Sequence, residues 1–351
     1  MKKDKDIGID RTIIRSGTLA EEVVIIDGFP GCGKTLFGPV ISSLERVELL
    51  NYAFEVEFIC RLFKLGKINR DAAVSLIRMF VDHKLYQTMM GRETNFRYAD
   101  LSSAFNDPKP LRYFKRIFQA GDQAVPDRIQ KERPILSLTT HDLLSYAEPL
   151  FEGLNTRVTF IEVVRHPLYM VIQETQNMEK LFSTVNPRDI QVYYKYKDKE
   201  LPYFCIGWEE LFMKSNNVDK AIFTMHECTK NSEEAKVFNK SKYQINIITI
   251  PFEKFVLNPD PFMEKICRTL GTSHSKVTKK ALKKQRVPRK KVSDGIPLDV
   301  YKRYGWSPPE SGLNEQGELA KRRDWAIKMG ASNEAIKTLD KLCSNYEKNY
   351  L

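Results

Sequence analysis

The chain of 351 residues lacks any unbroken apolar stretch near the roughly 20 residues that a membrane-spanning helix needs. A helical membrane span is therefore excluded. The opening Met1-Lys2-Lys3-Asp4-Lys5-Asp6 is charged and has no apolar segment behind it, which predicts a cytoplasmic protein. Cysteine is sparse: Cys32, Cys60, Cys205, Cys228, Cys267 and Cys343 are scattered, with no C-x-x-C spacing. That pattern excludes a disulfide framework and a zinc cage, so reduced thiols and no structural metal are expected. No DNA- or RNA-reading motif is present, and nucleic acid is not expected as a partner.

Acids are missing where bases accumulate. The net charge is +11, and residues 276–291 hold nine Lys or Arg with no Asp or Glu among them. A local excess of this kind points to an anionic partner rather than to general solubility, although a solvated helix face accounts for residues 276–284 by themselves.

With 42% hydrophobic residues, the chain can bury the core of one large α/β domain or two smaller ones. Val23-Val24-Ile25-Ile26 is a short, wholly apolar run closed by Asp27-Gly28, which predicts a buried strand of a parallel sheet. Further strands are predicted at 135–139, 158–164 and 245–250, with helical stretches between them; strands alternating with helices give a parallel sheet with right-handed crossovers. Residues 46–130 predict a helical insertion, with one helix starting behind Asn69 as N-cap. An aromatic hairpin is expected from residues 190–196 and 201–206. Residues 307–351 predict a loop followed by a helix.

Gly28-Phe29-Pro30-Gly31-Cys32-Gly33-Lys34-Thr35 matches G-x-x-x-x-G-K-[ST] in full. Glycines at these places let backbone N–H groups turn inward around a phosphate, and the helix that follows presents its positive end. Lys34 supplies a mobile cation, and Thr35 a hydroxyl for Mg²⁺ or a phosphate oxygen. The acid that a P-loop kinase carries at the end of a second apolar strand is lacking. Residues 135–139 lead into Thr140-His141, and residues 158–164 lead into Arg165-His166-Pro167; Asp142 lies past the histidine, and Glu162 sits inside its strand.

These two strand ends resemble those of the sulfotransferases. Ile135-Leu136-Ser137-Leu138-Thr139-Thr140-His141 is similar to the family's strand ending in Lys-Thr-His, and Phe160-Ile161-Glu162-Val163-Val164-Arg165-His166-Pro167 to its strand ending in Arg-Asn-Pro. Ile250-Pro251-Phe252-Glu253-Lys254-Phe255 resembles the family's late tyrosine–glutamate strand. Arg289-Lys290-Lys291, with Gly295 after it, resembles the late Arg-Lys-Gly segment. The order of motifs agrees from about residue 23 to 295.

The resemblance implies an α/β fold: a three-layer αβα domain over 1–351 with a central parallel sheet. It implies transfer of a sulfuryl group from 3′-phosphoadenosine 5′-phosphosulfate to a hydroxyl or amine acceptor, such as a glycan or small molecule. His141 would be the general base. Arg165, Arg289, Lys290 and Lys291 would hold the donor's 3′-phosphate, and Gln173 would stand where the family has a serine. Gly28, Phe29, Pro30, Gly31, Cys32, Gly33, Lys34 and Thr35 would hold the other phosphate end.

The loop departs from the family's Pro-Lys-Ser-Gly-Thr-Thr, because Gly31 follows Pro30 and the lysine comes at Lys34. Either Lys34 does the family lysine's work from another place, or the donor is ATP with Mg²⁺ and the protein is a kinase of a small molecule or glycan. A third reading is a nucleotide-gated module acting on nucleic acid through the basic segment. Tyr193, Tyr194, Tyr196, Tyr203, Phe204 and Trp208 either wall an acceptor pocket or pack the hairpin. His83, His226 and His274 are read as structural, and His166 as shaping the loop beside Arg165. Neither the acceptor nor the oligomeric state follows from the sequence.

Overall fold

A computed structural model of the protein describes residues 11–181, 192–295 and 313–351. Five parallel strands form the central sheet: β1 (Glu22–Asp27), β2 (Asn51–Tyr52), β3 (Ile135–Thr139), β4 (Val158–Val164) and β7 (Asn246–Pro251), in the order β2-β3-β1-β4-β7. A separate antiparallel hairpin consists of β5 (Tyr193–Tyr196) and β6 (Lys199–Pro202). The α/β class and the parallel sheet are as the alternating pattern predicts.

The central place of β1 explains its composition. It pairs with β3 on one side and β4 on the other, so both of its faces are covered. Val24 and Ile26 pack with the helices Lys34–Ser42, Pro167–Lys180, Phe252–Leu257 and Asn333–Tyr350. Val23 and Ile25 pack on the opposite face with the helices Phe54–Lys64, Arg70–Met90 and Glu148–Leu154. A side chain of this size contributes about 1.5–3 kcal/mol when fully buried, so a polar residue anywhere in the run would be costly.

The observed β3 and β4 have the predicted bounds, and β7 is shifted by one residue. One strand has no counterpart in the sequence reading: Asn51–Tyr52 pairs with Leu138 and Thr139 at the sheet edge, inside the 46–130 segment. Two half-polar residues leave no periodicity to detect. The rest of that segment is helical, in Phe54–Lys64, Arg70–Met90, Pro110–Arg116 and Ala124–Glu132. Its longest helix is tied to the chain entering β1, because buried Asp82 accepts hydrogen bonds from the Leu19 and Ala20 amides at 2.9 and 3.0 Å.

The C-terminal part holds two helices, Glu315–Lys328 and Asn333–Tyr350, each with its N-terminus closed by a side chain: Asn314 accepts from Gly317 N and Ser332 from Ala335 N. Both lie against the helix Pro167–Lys180. Residues 190, 191 and 307–312 of the predicted hairpin and C-terminal segment lie outside the described residues.

Candidate functional site

The carboxyl ends of β1, β3 and β4 open on one cleft of about 370 Å³, the place where open parallel sheets commonly bind ligands. Phe29, Pro30, Gly31, Cys32, Gly33, Lys34 and Thr35 line it, with His141, Arg165, Gln173, Arg289 and Gly295. Gly28 borders the back of the loop rather than the cleft, and Lys290 and Lys291 are exposed and do not line it. Residues as far apart in sequence as Phe29 and Arg322 thus meet on one surface.

Loop 28–35 needs its glycines. Gly28 has φ +149°, and a Cβ there would stand 2.3 Å from the Val163 carbonyl oxygen on β4. Gly33 has φ +97°, and a Cβ would stand 2.3 Å from Phe252 Cε2. The loop therefore lies directly on β4 and on the Phe252 ring. Lys34 begins the helix Lys34–Ser42, and its Nζ donates to the Gly28 carbonyl at 2.5 Å, so the cation folds across its own loop. Cys32 is buried, and burial raises its thiol pKa, which keeps it protonated and unreactive.

Arginines gather on two aromatic rings that line the cleft. The Arg165 guanidinium lies 4.5 Å from the Phe252 ring centroid and 4.8 Å from that of Tyr169. Arg289 shares the Phe252 ring at 5.4 Å, and Arg322 shares the Tyr169 ring at 4.8 Å. Arg165 Nη1 donates to the Gly31 carbonyl at 3.0 Å, while its buried Nε has no hydrogen-bond partner among the described residues. Burial lowers the Arg165 pKa; Glu253 opposes the shift and Arg322 adds to it. Three guanidiniums in one place repel each other unless an anion joins them.

Arg322 comes from the helix Glu315–Lys328 and has no motif around it; its charge is partly balanced by Glu318 at 2.8 Å. Tyr169, one turn into the helix after Arg165, is fixed by its hydroxyl donating to Glu315. Arg322, Tyr169 and Asn177 all line the cleft and were not singled out from the sequence.

His141 sits on the same cleft, at the end of β3, with 35% of its side chain exposed. Its ring is aligned with Tyr52 and Phe54, at interplanar angles of 3° and 5°. Buried Glu57 holds it twice: Oε1 accepts from the His141 backbone amide at 2.9 Å and lies 3.0 Å from Nδ1. Glu57 is itself paired with Arg61 at 3.0 Å, and Arg61 donates to the His141 carbonyl at 3.2 Å. The hydrogen bond to Glu57 assigns the proton to Nδ1 and leaves Nε2 with its lone pair.

A smaller groove of about 60 Å³ shares Lys34, Thr35, Tyr52 and His141 with the cleft and runs to Leu101, Ser102, Ser103, Asn106 and Asp107. Burial pushes Asp107 up to about 6.

Asp27, which precedes the loop, and Asp142, which follows His141, do not line the cleft. Asp27 accepts from Thr140 Oγ1 at 2.8 Å and from the Leu143 amide at 3.0 Å, which ties β1 to the turn after β3. Asp142 borders a different cavity behind the loop. No Asp or Glu lines the cleft among the described residues.

The remaining candidates are structural. His166 is buried and caps the helix Pro167–Lys180, with Nδ1 accepting from the Leu168 amide at 3.3 Å. Of the aromatic set, Tyr203 and Phe204 are buried in the core, Tyr194 and Tyr196 bond Glu209 and Glu210, and Trp208 Nε1 donates to the Phe204 carbonyl. None of the six lines the cleft, so they pack the hairpin.

No family model matches the sequence, and no curated protein matches it. Solved structures with a similar course of chain include the sulfotransferase domain of the Synechococcus PCC 7002 olefin synthase, at 12% identity and TM-score 0.40, covering 91% of this chain and 98% of that one. The sulfotransferase domain from the curacin biosynthetic pathway is similar at 12% identity and TM-score 0.42, over 87% and 97% of the two chains. A sulfotransferase of Mycobacterium tuberculosis H37Rv is similar at 11% identity and TM-score 0.37, over 84% and 77%.

Proposed function

We propose that the protein is a sulfotransferase that takes a sulfuryl group from 3′-phosphoadenosine 5′-phosphosulfate and gives it to a hydroxyl or amine acceptor. One observation carries this reading: residues 29–35 of the loop, His141 and the Arg165–Arg289–Arg322 group line a single cleft that has no carboxylate among its described lining residues.

The residues fit such a donor. Its two phosphate ends are anionic, and the cleft offers several cations. Lys34, Thr35 and the loop amides line it. The three guanidiniums line it too, and Arg165 also holds the Gly31 carbonyl of the loop itself. Gln173, whose Oε1 would be 3.2 Å from a Cβ on Gly31, can donate its amide to a phosphate oxygen from the side. Lys290 and Lys291 lie outside this cleft and take no part in this reading.

The chemistry follows from His141. When bound, the donor supplies a sulfuryl group whose transfer to the acceptor oxygen or nitrogen releases 3′,5′-adenosine bisphosphate. His141 Nε2 takes the acceptor's proton, and Glu57 at Nδ1 stabilises the imidazolium so formed. Lys34 offsets negative charge at the loop end. The groove toward Ser103 and Asp107 opens beside His141 and offers the acceptor its approach.

The Lys34–Thr35 pair favours one other reading, a kinase that uses ATP and Mg²⁺. Titration with 3′,5′-adenosine bisphosphate and, separately, with ADP and Mg²⁺ distinguishes the two. The sulfotransferase reading expects the bisphosphate to bind at least about tenfold more tightly, since only it engages the arginine group. Preference for ADP with Mg²⁺ would transfer the assignment to the kinase.

A further inference from the structure

Behind loop 28–35 lies a second cavity of about 370 Å³ with no role in the proposed transfer. The end of β4 and the helices Asn217–Lys242 and Asn333–Tyr350 enclose it. Its inner walls are mainly apolar, with Met170, Met225, Leu342 and Tyr346 buried around it. Arg165 borders this cavity too, but its guanidinium is turned to the Gly31 carbonyl and to the Tyr169 and Phe252 rings.

Asp142 lines this cavity and is only 7% exposed. The Cys228 thiol is the one hydrogen-bond partner of its carboxyl among the described residues, and a thiol is a weak donor. Two more buried acids stand close enough to act on it or be acted on by it. Asp27 is already satisfied by Thr140 and two backbone amides, whereas Glu174 has only Asn177.

Burial, reinforced by Asp27, pushes Asp142 up to about 7, against the opposing charges of Arg61 and Lys34. Glu174 is also pushed up to about 7, again mainly by burial. For Asp142, burial outweighs these cations, and none of them donates a hydrogen bond to its carboxyl among the described residues. An apolar cavity with an under-satisfied carboxyl at its inner end is complementary to an apolar molecule that ends in an ammonium group. A metal ion fits less well, because no group of three or more ligating side chains is present among the described residues. The mouth carries exposed Lys230, Lys341 and Glu233, whose charges are screened by water, so the buried acid sets the selectivity.

We propose that this cavity is a binding site for a small primary amine with an apolar body, its ammonium group donating to Asp142. The site is distinct from the donor cleft, although loop 28–35 separates the two and Phe29 and Cys32 border both.

Calorimetric titration of the full chain with n-hexylamine, n-hexanol and hexanoate tests the proposal. The amine should saturate a single site and bind at least about tenfold more tightly than the alcohol or the carboxylate, as expected for a charge-assisted hydrogen bond. Asp142→Asn should weaken the amine by a similar factor. Asn345→Trp, placed at the exposed mouth, should weaken it without touching the buried acid, and keeps the test available if Asp142→Asn does not fold. No saturable amine binding, equal affinity for n-hexanol, or unchanged amine affinity in a folded variant of either kind would overturn the proposal.

Discussion

The two cavities on either side of loop 28–35 have the same volume, about 370 Å³, and differently charged linings. The front cleft gathers Lys34, Arg165, Arg289 and Arg322 and has no carboxylate among its described lining residues. The rear cavity mixes the acids Asp27, Asp142, Glu162 and Glu233 with Arg165, Lys230 and Lys341. The acids enter across one peptide unit: His141 faces the front and Asp142 the rear. Asp142 has φ +48°, a left-handed conformation that Asp tolerates better than most residues, and this turn sends successive side chains to different sites. A strand end can thus serve an anionic ligand on one face while the acids that would repel that ligand are kept on the other.

Substitutions at the two faces should therefore give different losses. The largest is expected at His141. His141→Ala should reduce turnover by roughly 10²–10⁴-fold while changing nucleotide affinity little, because a general base acts on the acceptor's proton in the transition state. Parallel measurement of kcat and of bisphosphate affinity checks this, and an equal loss in both would place His141 in the binding set instead. Next come the front cations. Arg165→Ala should weaken 3′,5′-adenosine bisphosphate by roughly ten- to a hundredfold and 5′-AMP much less, since only the former has a 3′-phosphate. Arg322→Ala should follow the same pattern; equal losses for both nucleotides would remove these arginines from the 3′-phosphate.

Glu57→Gln sharpens the comparison further. It keeps the side chain's shape but cannot stabilise an imidazolium, so kcat should fall about tenfold or more with KM for the donor held. At the rear face the expected effect is on stability rather than on turnover or affinity. An unfolded Asp142 ionises near 4, whereas the folded protein keeps its proton until about 7. Between these values the folded state binds more protons than the unfolded one, so this residue lowers stability as pH rises from 4 through 7. Asp142→Asn should remove that dependence, a gap of up to about 3 kcal/mol between pH 5 and 8. Urea unfolding of both proteins at the two pH values would show it; equal slopes would contradict the burial of the acid.

Much of the front face was legible because its parts are contiguous in sequence. The apolar run of β1 must be followed by glycine where the backbone touches β4, and the strand ends at His141 and Arg165 are marked by the loss of apolar residues. What escaped depends on contacts distant in sequence. Glu57 is 84 positions from His141, and its only local mark is a Glu–Arg pair, Glu57 and Arg61, on the apolar side of a helix. Arg322 stands in the helix Glu315–Lys328, where Ala326 is the one buried residue, so no strong apolar stripe marks the side toward the cleft. Lys290 and Lys291 were attractive because they adjoin Arg289, yet only Arg289 turns inward, with Nη1 donating to the Val292 carbonyl at 2.8 Å. The short β2 owes its existence to β3 rather than to its own residues.

The central claim is that the front cleft recognises a nucleotide with phosphates at both its 3′ and 5′ positions. The most direct measurement is the affinity of 3′,5′-adenosine bisphosphate for the protein and for Lys34→Ala, compared in each case with 5′-AMP. The account predicts tight binding of the bisphosphate by the unaltered protein, a clear preference over 5′-AMP, and a loss of roughly tenfold or more for both nucleotides in Lys34→Ala. No binding of the bisphosphate, or the same affinity with and without the 3′-phosphate, would contradict it.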